Sequence, residues 1–382
     1  MNNRLTTHQV CLLLFVSITA SKFQRLPSLM SEYYSRSIWL VALVFMLMEV
    51  LITCFILFLL SRFKGATLFE FLSSKLGKGI MCIVAFLLSV YFYFKIGASY
   101  KGVHEFFANT LFDKLSWSYF SIIFLLLLIF LSTTGLNVIG RSSELYGLII
   151  GVSIAIAMIL GLKSCVFERL LPVFETINKN ILVTSIKFVP WFSNYMILFL
   201  FVGNVEFNKK CCKNVFWTYL ASGVLVVLVY VLFIAINGNL SVYQSNTLSS
   251  ITQNSLIGLG IGRPDWFLVL ITMIGNFLSS ALYLFGIVFC FSKAFNIKFN
   301  YFLVLLGAIL LYISDIYLLP NLDVSQTVLC DYGSYFMASM NIILPLLCLL
   351  AIIIKNKDSK SGYRARCQIW FCFLNAICGL LF

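Results

Sequence analysis

Charge is what this sequence has least of. Asp, Glu, Lys and Arg make up 11% of its 382 residues, against about a quarter in a soluble domain. Acidic residues number 14 and histidines two. The two histidines, His8 and His104, stand far apart, and no CxxC or Cys/His pair has metal-ligand spacing, so no zinc site is expected. No phosphate loop appears, and no basic-aromatic stripe lies on a polar domain. Hydrolytic and redox constellations are absent as well. The expectation is a non-enzyme with no metal and no cofactor. A cleavable signal peptide is also not expected, because Met1–Val10 is polar and no small-residue cleavage site follows.

What is present is apolar bulk. Hydrophobic residues reach 61%, with 38 Phe, which marks an integral membrane protein. The 12 cysteines follow no framework spacing. Cys54, Cys82, Cys290 and Cys348 lie inside apolar runs, where cysteine acts as a small hydrophobe. Cys165 and Cys330 fall in two loops expected outside, where a disulfide and two free thiols are both open.

Charge-poor runs recur at spanning length: Ile38–Leu60, Ile80–Phe94 continuing past Lys95, Trp117–Ile139, Leu145–Leu162, Phe188–Val205, Val215–Ile236, Trp266–Phe291, Tyr301–Ile313 and Tyr335–Ile354. With the opening segment they make ten spans over residues 1–356. The remainder, 357–382, reads as a basic linker and a short apolar segment, Gln368–Phe382, taken as interfacial. With both termini cytoplasmic, 16 basic residues fall inside against 11 outside, whereas Glu105, Asp113, Glu168, Glu175, Asp265, Asp323 and Asp331 lie outside. The net charge of +13 is therefore a topology signal and implies no nucleic-acid partner.

The opening run, Val10–Ala20, is eleven residues long. It would measure roughly 16 Å, about half of a ~30 Å hydrocarbon core. It stops at SKFQRLPS (Ser21–Ser28). The sixth span is also interrupted, by Lys187, Pro190, Ser193 and Asn194. Two interrupted spans five apart indicate a five-plus-five inverted repeat with discontinuous helices 1 and 6. A short first span and a simple proline kink are the plainer alternative. Backbone groups freed at such breaks need partners that lipid cannot supply. Thr19, Ser21 and Lys22 are thus expected to form a wall of a central solute site facing Ser193 and Asn194. A lysine at that depth needs a counter-charge, from a ligand carboxylate or Glu49; in the alternative, Lys22 snorkels to the headgroups.

Glu49 sits mid-span and is a candidate proton or pathway residue, or else a packing acid. Arg141 and Glu144, three apart, share a helix face, as an entry ion pair or an inner gate. Asn276, Ser279, Ser280 and Tyr283 either line a site or bond helix to helix.

Four stretches resemble, in order, segments of the spore germination receptor B subunits, the GerAB-like permeases: GATLFEFLSSKLGKGIM (Gly65–Met81), GLNVIGRSSEL (Gly135–Leu145), ERLLPVFETINKNIL (Glu168–Leu182) and LIGLGIGRPDW (Leu256–Trp266). The resemblance covers roughly Leu5–Lys355. It implies the amino acid–polyamine–organocation superfamily, an all-α LeuT-type fold, and sensing of a small germinant such as an amino acid. It also implies an A-type subunit and a C-type lipoprotein subunit as partners, in the inner membrane of a bacterial spore. In that fold the third span lines the site, which brings in Tyr93 from the run Tyr91–Phe94. The chain departs from the family pattern at the first break, where Thr19 replaces a glycine and Lys22, Gln24 and Arg25 precede Pro27. A secondary, proton-coupled amino acid transporter and a non-binding assembly subunit are the alternatives.

Overall fold

A chain this apolar has one way to satisfy its backbone in lipid without closing a barrel: it must be helical. The computed structural model describes residues 5–63, 65–110, 117–171, 181–256, 265–318 and 327–357. Among these residues helices dominate and no strand forms. The closing segment Gln368–Phe382 lies outside the described residues, as do Asp113, Glu175 and Asp323.

Helix α1 (Thr7–Lys22) starts on a Thr6/Gln9 capping box and is followed closely by α2 (Leu26–Tyr34), with Pro27 in its first turn. A 3-10 turn leads into α3 (Ile38–Leu60). Then come a short α4 (Leu68–Leu76), α5 (Lys78–Thr110), α6 (Trp117–Thr133) and α7 (Leu136–Leu162). Two small helices, α8 (Ile181–Ile186) and α9 (Leu198–Phe201), flank an irregular stretch. The chain continues through α10 (Lys209–Asn237), α11 (Thr247–Leu256), α12 (Asp265–Ala294), α13 (Tyr301–Leu318) and α14 (Ser334–Lys357).

Six described helical stretches are long and apolar enough to cross a membrane: Leu26–Leu60, Lys78–His104, Leu136–Leu162, Lys209–Tyr243, Leu268–Ala294 and Asp331–Ile354. Tyr119–Thr133 and Tyr301–Ser314 are shorter apolar helices. The protein is a multi-pass membrane protein. One expected boundary moves: Gly135, at φ +84°, separates α6 from α7, so Leu136–Ile139 opens the later helix. Arg141 and Glu144 consequently sit in its second and third turns. A glycine in the left-handed region ends a helix whatever the hydropathy on either side.

Helix α12 packs on α5, α7 and α1, and α10 packs on α3 and α1. Small residues set the approach. A Cβ on Gly275 of α12 would meet Ile150 of α7 at 2.8 Å and Ala20 of α1 at 3.4 Å, the close backbone contact used between membrane helices. The apolar residues Val44, Leu47, Met48 and Leu51 of α3, and Leu148, Val152 and Ile159 of α7, are exposed. They form the rim that lipid would cover.

Candidate functional site: the paired breaks

The first break is tight. Helix α1 ends at Lys22, Phe23–Arg25 bend, and α2 begins at Leu26. Pro27 cannot donate to a continuing helix, which fixes the restart. Partners within the protein satisfy the freed carbonyls. The Tyr230 hydroxyl of α10 donates to the Lys22 carbonyl at 3.0 Å. The Thr247 hydroxyl and amide of α11 donate to the Gln24 carbonyl at 2.7 and 3.2 Å.

The second break runs from Lys187 through Ser193 between α8 and the 3-10 turn Asn194–Ile197. Here the Ser193 carbonyl accepts from the Tyr91 hydroxyl at 3.2 Å. The Asn194 amide donates to Glu49 Oε1 at 3.4 Å.

The side chains converge on these two breaks. Lys22 is wholly buried, and its ammonium meets Glu49 Oε2 at 2.8 Å and lies 4.9 Å from the centre of the Phe192 ring. Asn194 bonds to three helices at once. Its Nδ2 donates to Ser21 Oγ at 3.1 Å and to the Ser17 carbonyl at 3.4 Å, both on α1. Its Oδ1 accepts from Lys95 Nζ of α5 at 2.9 Å and from the Tyr283 hydroxyl of α12 at 3.3 Å. A hydroxyl pair continues the polar seam: Ser99 donates to Asn276 Oδ1 at 3.2 Å, and Ser280 donates to Ser99 at 3.0 Å.

Several expected residues fall elsewhere or act differently. The Thr19 hydroxyl bonds back to the Phe15 and Val16 carbonyls of its own helix and so is spent inside α1. Ser193 Oγ is likewise spent on the Val189 carbonyl; only its backbone takes part. Tyr93 is displaced from the breaks: it lines two apolar cavities against α6, α12 and α13. Tyr91, two residues earlier and so on a different helix face, reaches the break instead. Lys22 does not snorkel. Of the polar residues on α12, Asn276, Ser280 and Tyr283 bond across helices, while Ser279 bonds back to Gly275. The Glu144 carboxylate has His8 at 3.7 Å, at side-chain exposures of 41% and 70%; no ion pair with Arg141 forms among the described residues. The Cys165 thiol is free and donates to the Gly161 carbonyl; the Cys330 side chain lies outside the described set.

Lys95 is the residue that sequence reasoning passed over. Its signal was an ionisable residue inside a long apolar run, read there as a mere interruption. Among the described residues no group of three or more His, Cys, Asp or Glu is placed to hold a metal ion.

One buried polar cluster thus joins two interrupted helical segments inside a multi-pass membrane protein. The spore permease family model, described as spore germination protein, matches residues 4–321, and the chain belongs to that family. No curated protein matches it.

Proposed function

We propose that this chain is the permease-like B-type subunit of a germinant receptor and binds a small solute between its paired breaks. In this reading the spans are ten: α1 with α2, α3, α5, α6, α7, α8 with α9, α10, α12, α13 and α14. With breaks in the first and sixth, this is the LeuT-type five-plus-five arrangement. The observation that carries the reading is Asn194, whose side chain ties the second break to α1, α5 and α12. A solute entering there competes for hydrogen bonds that hold both breaks, so its binding registers in the whole bundle. In this reading both termini are cytoplasmic, A-type and C-type subunits are the partners, and the membrane is that of the spore. The central solute is of amino acid size.

The test is a dose response of germination in spores carrying Ser21→Ala or Asn194→Ala. Ser21→Ala removes its hydrogen bond with Asn194 and Asn194→Ala removes those to Ser17, Ser21, Lys95 and Tyr283, and the half-maximal germinant concentration should move by several-fold or more. If both variants stay within about twofold of the parent, with membrane levels matched, the site lies elsewhere. A secondary transporter is the second reading, favoured by three ionisable groups, Lys22, Glu49 and Lys95, buried at the breaks. Concentrative uptake of labelled solute into proteoliposomes would select it. Detergent-stable co-purification with A- and C-type subunits would favour the receptor.

A further inference from the structure

The cluster at the breaks carries a surplus of both charge and donors. Among the described residues, its charged side chains are Lys22, Lys95 and Glu49, all buried. Glu49 is committed to Lys22 at 2.8 Å. Lys95 Nζ is left with a neutral partner, the side-chain oxygen of Asn194. The three groups, ionised, sum to one positive charge in a region screened from water, a cost relieved either by a proton leaving Lys95 or by an anion joining the cluster. The hydrogen-bond count tilts the same way. Asn276 Nδ2 is buried with no partner among the described residues, and it is a donor within the seam just traced. Ser99, the partner of Asn276, lies one turn beyond Lys95 on α5. The Ser17 carbonyl holds Asn194.

The position of Asn194 Oδ1 shows what is missing. It sits between an ammonium at 2.9 Å and a phenol hydroxyl at 3.3 Å, the pair of donors that one oxygen of a carboxylate would take. An amide oxygen there supplies the geometry without the charge. We propose that the central site selects a monoanionic carboxylate over a zwitterion, the solute's carboxylate replacing the Asn194 side-chain oxygen on Lys95 and Tyr283. This rests on the reading of the paired breaks as a solute site. A monoanion brings the cluster to neutrality. A zwitterion leaves the surplus in place and adds an ammonium whose natural acceptor, Glu49, is already taken. A cationic solute doubles the surplus.

The experiment uses the full chain purified in mild detergent, with thermal unfolding followed at matched ionic strength. The probes are acetate, propanoate, lactate and benzoate as monoanions, alanine and valine as zwitterions, and alaninamide as a cation. At least one monoanion should raise the unfolding temperature with a saturable dose dependence, and the zwitterions and the cation should not. In Lys95→Gln the half-maximal anion concentration should rise by about tenfold or more, since a charge-assisted hydrogen bond is lost. Asn194→Asp supplies the missing charge internally. It should unfold at a higher temperature than the parent, lose the anion response, and lose its advantage when combined with Lys95→Gln. If alanine or valine stabilises the chain and no monoanion does, the anion preference is wrong while the solute site stands. If no probe acts and Asn194→Asp unfolds at a lower temperature than the parent, the charge-surplus argument fails. An anion response unchanged in Lys95→Gln also overturns the proposal.

Discussion

The ammonium of Lys22 and a carboxylate oxygen of Glu49 meet at 2.8 Å between α1 and α3, and neither side chain reaches solvent. Twenty-seven residues separate them in the chain. Together they let a lysine stand at the end of the 16-residue helix α1 without leaving the protein interior.

Breaking this pair from one side should cost more than removing it whole. Glu49→Gln leaves Lys22 buried and uncompensated, beside a second buried lysine, and should destabilise the fold by about 3–5 kcal/mol. The double variant Lys22→Met/Glu49→Leu has no charge to strand and should recover most of that loss. Thermal unfolding in detergent ranks the two. A double variant no more stable than Glu49→Gln would mean the pair does not behave as a unit.

The capped carbonyls of the first break should show unequal tolerance. Tyr230→Phe removes the hydroxyl on the Lys22 carbonyl and should cost about 1–3 kcal/mol. Thr247→Val removes one of two donors on the Gln24 carbonyl, the backbone amide remaining, and should cost about 1 kcal/mol or less. Denaturant titrations of the two variants against the parent give the ranking.

Orientation can be read at Lys210, which is exposed at the start of α10 beside Lys209 and Lys213. With this basic cluster cytoplasmic, a single cysteine at position 210 is labelled by an impermeant reagent only after the membrane is opened. Labelling of intact cells or right-side-out vesicles would reverse the topology.

Helix α4 begins on a capping box in which the Thr67 amide donates to Glu70 at 3.0 Å and the Thr67 hydroxyl accepts from the Glu70 amide. The Thr67 backbone N–H, foremost, holds the Glu70 carboxyl below its ordinary value of 4.5. A lowered folded-state pKa stabilises above the unfolded value and is lost as pH falls through the folded one. The α4 amides, once corrected for the intrinsic pH dependence of exchange, should therefore be less protected below about pH 4.5 than at neutral pH. Thr67→Ala should speed that exchange at all pH values, by an amount corresponding to about 1 kcal/mol.

Much of this arrangement was legible in the sequence, for reasons that differ from residue to residue. A polar stop after eleven apolar residues is visible because hydropathy is local, and Pro27 and Pro190 mark chain breaks on their own. Glu49 was one of two counter-charges that the cost of a buried lysine allows. Tyr91 was harder. In a run of four aromatics every position looks equal, and only the helical phase that turns the Tyr91 hydroxyl to the Ser193 carbonyl and to Asn341 of α14 separates it from Tyr93. Gly135 was hidden because its neighbours Ser132, Thr133, Thr134 and Asn137 carry no charge, so a charge-poor run reads as one span where backbone geometry ends a helix. Tyr230 and Thr247 could not be found at all, since their role is to donate to backbone carbonyls that have no side-chain signature.

The two bonds that cap the first break have a consequence for how the protein is made. Tyr230 lies 208 residues after Lys22, and Thr247 lies 223 residues after Gln24. At synthesis rates of about 5–20 residues per second, roughly 10–45 s pass before those donors leave the ribosome. Glu49 emerges within a few seconds of Lys22. Helix α1 thus meets its counter-charge almost at once but waits for its backbone partners. During that interval the Lys22 and Gln24 carbonyls depend on water or on the insertion machinery, and chains stalled or truncated before α10 lack both donors.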